Sequence, residues 1–224
     1  MQRRKHVCGA VLVCALVPSA VLAHDMVPPG WRGQEGSTHQ QWTFENGDNP
    51  AAPEVISNPY GSASADITVA EFGSGWLPQL PGMGTQTGYW DLGGVGLGGT
   101  GPDGSIVIDI DNRPLTTPDS WKEIWVQITY FKDITLAPVV TVPGATLLSQ
   151  QTLLVEHIST GGDWKLDQSV WRIQPNPLHE QVLVTADHLM GSVVDQVVID
   201  TICVPEPAML SMLALGGALV LRRR

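Results

Sequence analysis

Apolar and polar residues alternate with a period of two over much of the chain. In SIVIDID, residues 105–111, Ile106, Ile108 and Ile110 fall on one face and Val107, Asp109 and Asp111 on the other. That is the pattern of a half-buried strand. QVLVTAD at 181–187 and VDQVVIDTICV at 194–204 are rich in β-branched residues and read the same way. Further strands are predicted over 64–72, 87–92, 146–150, 152–159 and 168–174. Breakers part them: GGVGLGGTGPDG at 93–104, NRPLTTPD at 112–119, STGGD at 159–163 and QPNP at 174–177. The glycine-rich run reads as a flexible hairpin connection. Residues 24–62, rich in Gly, Pro, Asn and polar side chains, read as an irregular lead-in.

One segment fits two patterns. In DSWKEIWVQITYF, Ser120 and Glu123 have the spacing of a helix capping box, with Trp121, Ile124, Trp125 and Ile128 on one helical face. Val126, Ile128, Thr129, Tyr130 and Phe131 favour the pleated state. The strand over 122–131 is preferred, with Ile124, Val126, Ile128 and Tyr130 facing one way. Many short strands, Gly/Pro turns and no long amphipathic helix predict an all-β fold, a β-sandwich of jelly-roll type over 63–204.

The two ends have a different character. The last 20 residues hold Pro205-Glu206-Pro207, an uncharged run at 208–221 and then Arg222, Arg223 and Arg224. As a helix that run reaches about 21 Å, short of the ~30 Å hydrocarbon core. Extending it backwards crosses two prolines and a carboxylate, so it suits transient entry into a membrane better than a permanent span. The arginines keep the C-terminus cytoplasmic. The tripeptide, apolar stretch and arginine cluster, in that order, resemble the PEP-CTERM sorting signal of Gram-negative bacteria. The resemblance covers 205–224 and implies recognition by exosortase, a membrane enzyme thought to cleave near the tripeptide. It also implies transient inner-membrane association, then a place at the cell surface or in an extracellular polysaccharide and biofilm matrix.

The N-terminus supports the same route independently. Arg3, Arg4 and Lys5 precede an apolar run at 7–17, and Val21-Leu22-Ala23 follows. This is the pattern of a secretory signal peptide, residues 1–23, cut after Ala23. Without both signals, residues 24–204 carry six basic and 21 acidic side chains, a net charge of −15. Such an acidic surface repels polyanions and argues against nucleic acid as a partner. Cys8 and Cys14 leave with the signal peptide, and Cys203 alone cannot form an intrachain disulfide.

The common catalytic motifs are missing: no Gly-x-Ser-x-Gly elbow, no Walker loop, no GxGxxG opening a helix. His179-Glu180 begins like a zinc-protease helix, but Leu183 stands where the second histidine belongs. Cleavage after Ala23 leaves His24 as a free N-terminus. It is a copper-chelating candidate with His39, His157, His179 or His188 as second ligand, the arrangement of copper-dependent polysaccharide oxidases.

Binding features are clearer. The core holds eight tryptophans against three Phe and three Tyr. Trp31, Trp42, Trp76 and Trp90 lie in or beside Gly/Pro-rich segments and are the candidate glycan-binding residues, because an exposed indole suits the C–H face of a sugar ring. Trp121, Trp125, Trp164 and Trp171 sit within strands and are assigned to the core. Asp109, Asp111 and Asn112 are candidate oxygen ligands for calcium, although no EF-hand spacing is present; no other cofactor is expected. The sequence therefore reads as an exported matrix protein acting by binding or structure, in contact with extracellular polysaccharide. The alternative is a carbohydrate-active enzyme, a glycosidase or copper-dependent oxidase.

Overall fold

The computed structural model describes residues 25–79, 82–84, 86, 88–113, 120–159 and 161–204. The predicted signal peptide with Ala23, His24 and the predicted sorting segment 205–224 lie outside the described residues. What is described is all-β: two antiparallel sheets face to face, a β-sandwich.

Twelve strands form in chain order: β1 (Ser37–Trp42), β2 (Val55–Ser57), β3 (Ala63–Thr68), β4 (Gly75–Pro78), β5 (Gly88–Asp91), β6 (Ser105–Asp111), β7 (Trp121–Lys132), β8 (Val139–Thr141), β9 (Ala145–His157), β10 (Asp163–Ile173), β11 (His179–Thr185) and β12 (Val193–Val204). The large sheet runs β2-β1-β12-β7-β10-β9, with the β4–β5 pair attached to β12. The small sheet runs β3-β6-β11-β8. From β6 to β12 the chain changes sheet at every connection except the β9–β10 hairpin.

The core lies between the sheets. Ile124, Val126 and Ile128 of β7 and Val197 and Ile199 of β12 meet Ile106, Ile108 and Ile110 of β6 and Val182 and Val184 of β11. Segment 121–132 is a strand because its β-branched residues alternate inward, and the capping-box reading is not realised. A second apolar cluster, Tyr89, Phe131, Ile158, Trp164 and Val193, forms on the outer face of the large sheet.

Three expectations are corrected. Residues 24–62 are not an irregular lead-in throughout. β1 pairs with β12 along six residues, Ser37↔Ile202 to Trp42↔Val197, and Trp42, Phe44 and Ala51 belong to the core. The strand was hidden because STHQQW is mostly polar, and it buries those polar groups within the sheet. The glycine-rich connection at 93–104 is also not loose at its start. A Cβ on Gly93 would stand 2.1 Å from Gly73 N, at a φ of +64°, so only glycine allows these backbones to meet. The two strands predicted at 146–150 and 152–159 are one, β9, bulged near each end and exposed as the sheet edge.

Candidate functional site on the outer face of the large sheet

The alternation that sends Ile124, Val126 and Ile128 inward sends Trp121, Glu123, Trp125 and Gln127 outward on β7. Trp125 stands in register with Asp200 of β12, and Asp200 with His39 of β1. The lead-in crosses this surface. Turns closed by Arg32 N–H to Pro29 O (3.1 Å) and Gln34 N–H to Trp31 O (3.0 Å) set Trp31 and Arg32 above the strands.

Trp31 meets Trp125 edge to face, with ring centroids 6.3 Å apart and planes at 85°. Both indole N–H groups donate to Glu123 Oε1, at 3.1 Å from Trp31 and 2.8 Å from Trp125. Opposite Glu123 on β10 lies Arg172, whose guanidinium sits 4.1 Å over the Trp121 ring. The Trp31, Trp121 and Trp125 rings are all half-buried. Gln127, Gln168 and Gln151 form one cross-strand row, with Gln151 Nε2 donating to Gln168 Oε1 at 2.9 Å.

Charge beside the rings is tightly paired. Arg32 donates from Nε and an Nη nitrogen to the two oxygens of Asp200, both at 2.6 Å, and also to Asp25. Asp200 is fully enclosed and holds His39 Nδ1 at 3.0 Å as well. Burial alone would push the Asp25 carboxyl up. Hydrogen bonds from Arg32 and Gln127, with the nearby positive charge, outweigh it and hold Asp25 below its ordinary value. Burial likewise opposes the charged form of Arg32, but the two carboxylates raise its pKa. Next in the chain, from Gly33, an open groove of about 520 Å³ runs past Gln34, Glu35, Ser57, Asn58 and Tyr60.

The residues predicted for glycan contact are therefore divided. Trp31 lies on this face. Trp42 is wholly buried, its indole donating to Ala51 O, and Trp90 lies in the core at 6 % exposure; both are corrected as exposed-ring candidates. Trp76 is half-buried, its indole N–H spent on Phe44 O at 2.8 Å. Trp121 and Trp125, assigned to the core, look outward instead. The signal was available: once Ile124, Val126 and Ile128 share a face, Trp121 and Trp125 must share the other.

The calcium candidates do not converge. Asp109 and Asp111 look out from the small sheet, engaged with Gln181 and with Ser62 and His179. Asn112 is buried and its amide is committed to the interior. Among the described residues no group of three or more His, Cys, Asp or Glu is placed to hold a metal ion. His39, His157, His179 and His188 each face a different aspartate: Asp200, Asp163, Asp111 and Asp103. His179-Glu180 opens β11 rather than a helix, and Glu180 points inward to Lys122.

No family model, curated protein or solved structure matches the chain.

Proposed function

We propose that the protein is an exported component of an extracellular polysaccharide matrix, sorted by exosortase, with the Trp31–Trp125 face as its sugar-contacting surface. The observation that carries the sugar reading is the shared carboxylate. Glu123 holds two indoles at fixed angle beside a third ring covered by Arg172. Rigid aromatic rings beside a guanidinium match a ligand that offers C–H faces and hydroxyls in alternation. The role is binding or structure, and the paired state of the charged groups on this face supports it over turnover. The export reading is supported by the residues at the two ends of the sequence.

Two measurements test the two halves. For sugar contact, neutral and acidic glycans are titrated against the wild type and Trp125→Ala, with and without calcium. Binding of neutral glycans that weakens at least about tenfold in a folded variant supports the reading. Unchanged binding by that variant removes this face from the function. For export, mass spectrometry of protein recovered outside the cell should find His24 first and Arg222, Arg223 and Arg224 gone. An intact C-terminus there contradicts sorting.

A further inference from the structure

Lys122, Asn112 and Glu180 meet inside the sandwich, where β6 leaves the small sheet and β7 enters the large one. Lys122 shares the inward face of β7 with Ile124, and Glu180 the inward face of β11 with Val182. Both side chains are fully enclosed. Lys122 Nζ stands 2.6 Å from Glu180 Oε2 and also donates to Asn112 Oδ1. The Asn112 amide is fixed on both sides. Its Nδ2 donates to Asn176 Oδ1 at 2.9 Å and to Pro177 O at 2.7 Å. Its Oδ1 also receives the Arg113 N–H at 2.8 Å and the Cys203 thiol at 3.4 Å.

Sealing an ion pair from water is costly, and a buried pair tends toward its neutral form. Burial pushes the Lys122 amine down and the Glu180 carboxyl up, each against the attraction of the other. Both shifts favour a neutral amine beside a neutral acid. A neutral amine has a free lone pair, and here a carboxamide is held within hydrogen-bond reach of it.

The geometry points to an intramolecular isopeptide bond between Lys122 Nζ and Asn112 Cγ, made by the chain itself with Glu180 as proton relay. Nζ moves from the edge of the amide onto its face. Its lone pair adds to Cγ, and the carbonyl π electrons shift to Oδ1. The Arg113 N–H and the Cys203 S–H remain there to hold the developing charge. Glu180 takes a proton from Nζ and its own acid proton goes to Nδ2. The Oδ1 electrons return, the Cγ–Nδ2 bond breaks, and ammonia leaves. Amine and primary amide become secondary amide and ammonia, with Glu180 restored and no oxidant or reductant used. Positioning replaces a bimolecular encounter, and exclusion of water leaves the amine without a competing nucleophile. The bond joins the end of β6 to the start of β7 and ties the two sheets together at that corner. It is independent of any sugar contact.

Peptide mapping of the purified full chain decides it. After denaturation, trypsin should fail to cut at Lys122, and the peptide spanning 33–132 should be lighter by one ammonia, about 17 Da. The near-isosteric Glu180→Gln keeps the shape but cannot relay a proton, so it should have full mass and a cleavable Lys122, the linked fraction falling about 100-fold or more. Lys122→Arg should likewise stay unlinked. A folded wild type with full mass and a cleavable Lys122 overturns the proposal. So does the same mass loss with Lys122 still cleaved, which would be a succinimide at Asn112. Linkage undiminished in Glu180→Gln would overturn the relay.

Discussion

Truncating Trp42 and Trp31 in parallel tests the division of the tryptophans between core and surface. Trp42 has no exposed surface, and its removal empties a site between the sheets among Phe44, Ala51 and Val197. A buried Trp→Ala change costs about 3–5 kcal/mol. The lost indole hydrogen bond adds little, since Ala51 O keeps the Ala65 N–H at 2.9 Å. Trp31 is half-buried; it gives up an edge contact worth about 0.5–1.5 kcal/mol and one hydrogen bond of about 1 kcal/mol, much of it regained from water. Glu123 retains Trp125 as donor. With a urea slope of about 2 kcal/mol per molar, Trp42→Ala should lower the midpoint by about 1.5–2.5 M and Trp31→Ala by less than about 1 M. Far-ultraviolet circular dichroism during urea titration reads both. Equal midpoint shifts would refute the assignment of one ring to the core and the other to the outer face.

Other perturbations probe the charged and polar clusters. Asp200→Ala leaves Arg32 without its enclosed partner and should cost about 3 kcal/mol, whereas Asp200→Asn should recover part of it; equal melts for the two variants would count against the pairing. Because the Asp25 pKa is lowered in the fold, its stabilisation is present above the unfolded value near 3.8 and is lost as pH falls through the lower folded value. Asp25→Asn should therefore flatten the stability profile in that acid range, and an unchanged profile would contradict the Arg32 contact. Cys203→Ser should leave the melting temperature nearly unchanged. The hydroxyl can take up the contacts that Sγ makes with Asn176 and Asn112, and failure to fold would show that the larger sulfur is needed to fill the site.

The strands were legible where local chemistry repeats. In β6 and β7 apolar β-branched residues recur at every second position, and β11 and β12 are rich in them, which favours the pleat before any partner strand is known. Alternation also made one relation certain in advance: Trp125 and Ile124 cannot share a face. The segments read as export signals, 1–23 and 205–224, are contiguous, and reading them needs no fold.

What the alternation leaves open is which face is covered, and by what. β1 is polar and looked like loop, yet six register pairs with β12 place it inside the large sheet. Trp42 and Trp90, flanked by Gly and Pro, are buried because distant strands close over them, while Trp125, inside a regular strand, faces out beneath Trp31. Lys122 and Glu180 sit in register with core isoleucines and valines and so had to point inward. Their meeting with Asn112 joins residues 10 and 58 positions away from Lys122. Such contacts depend on how the two sheets stack, a long-range property that a period of two does not encode. The sequence by itself determined the regularly patterned strands and the excess of acidic side chains. Only the tertiary structure decided which aromatic rings reach solvent and which polar groups are shut away from it together.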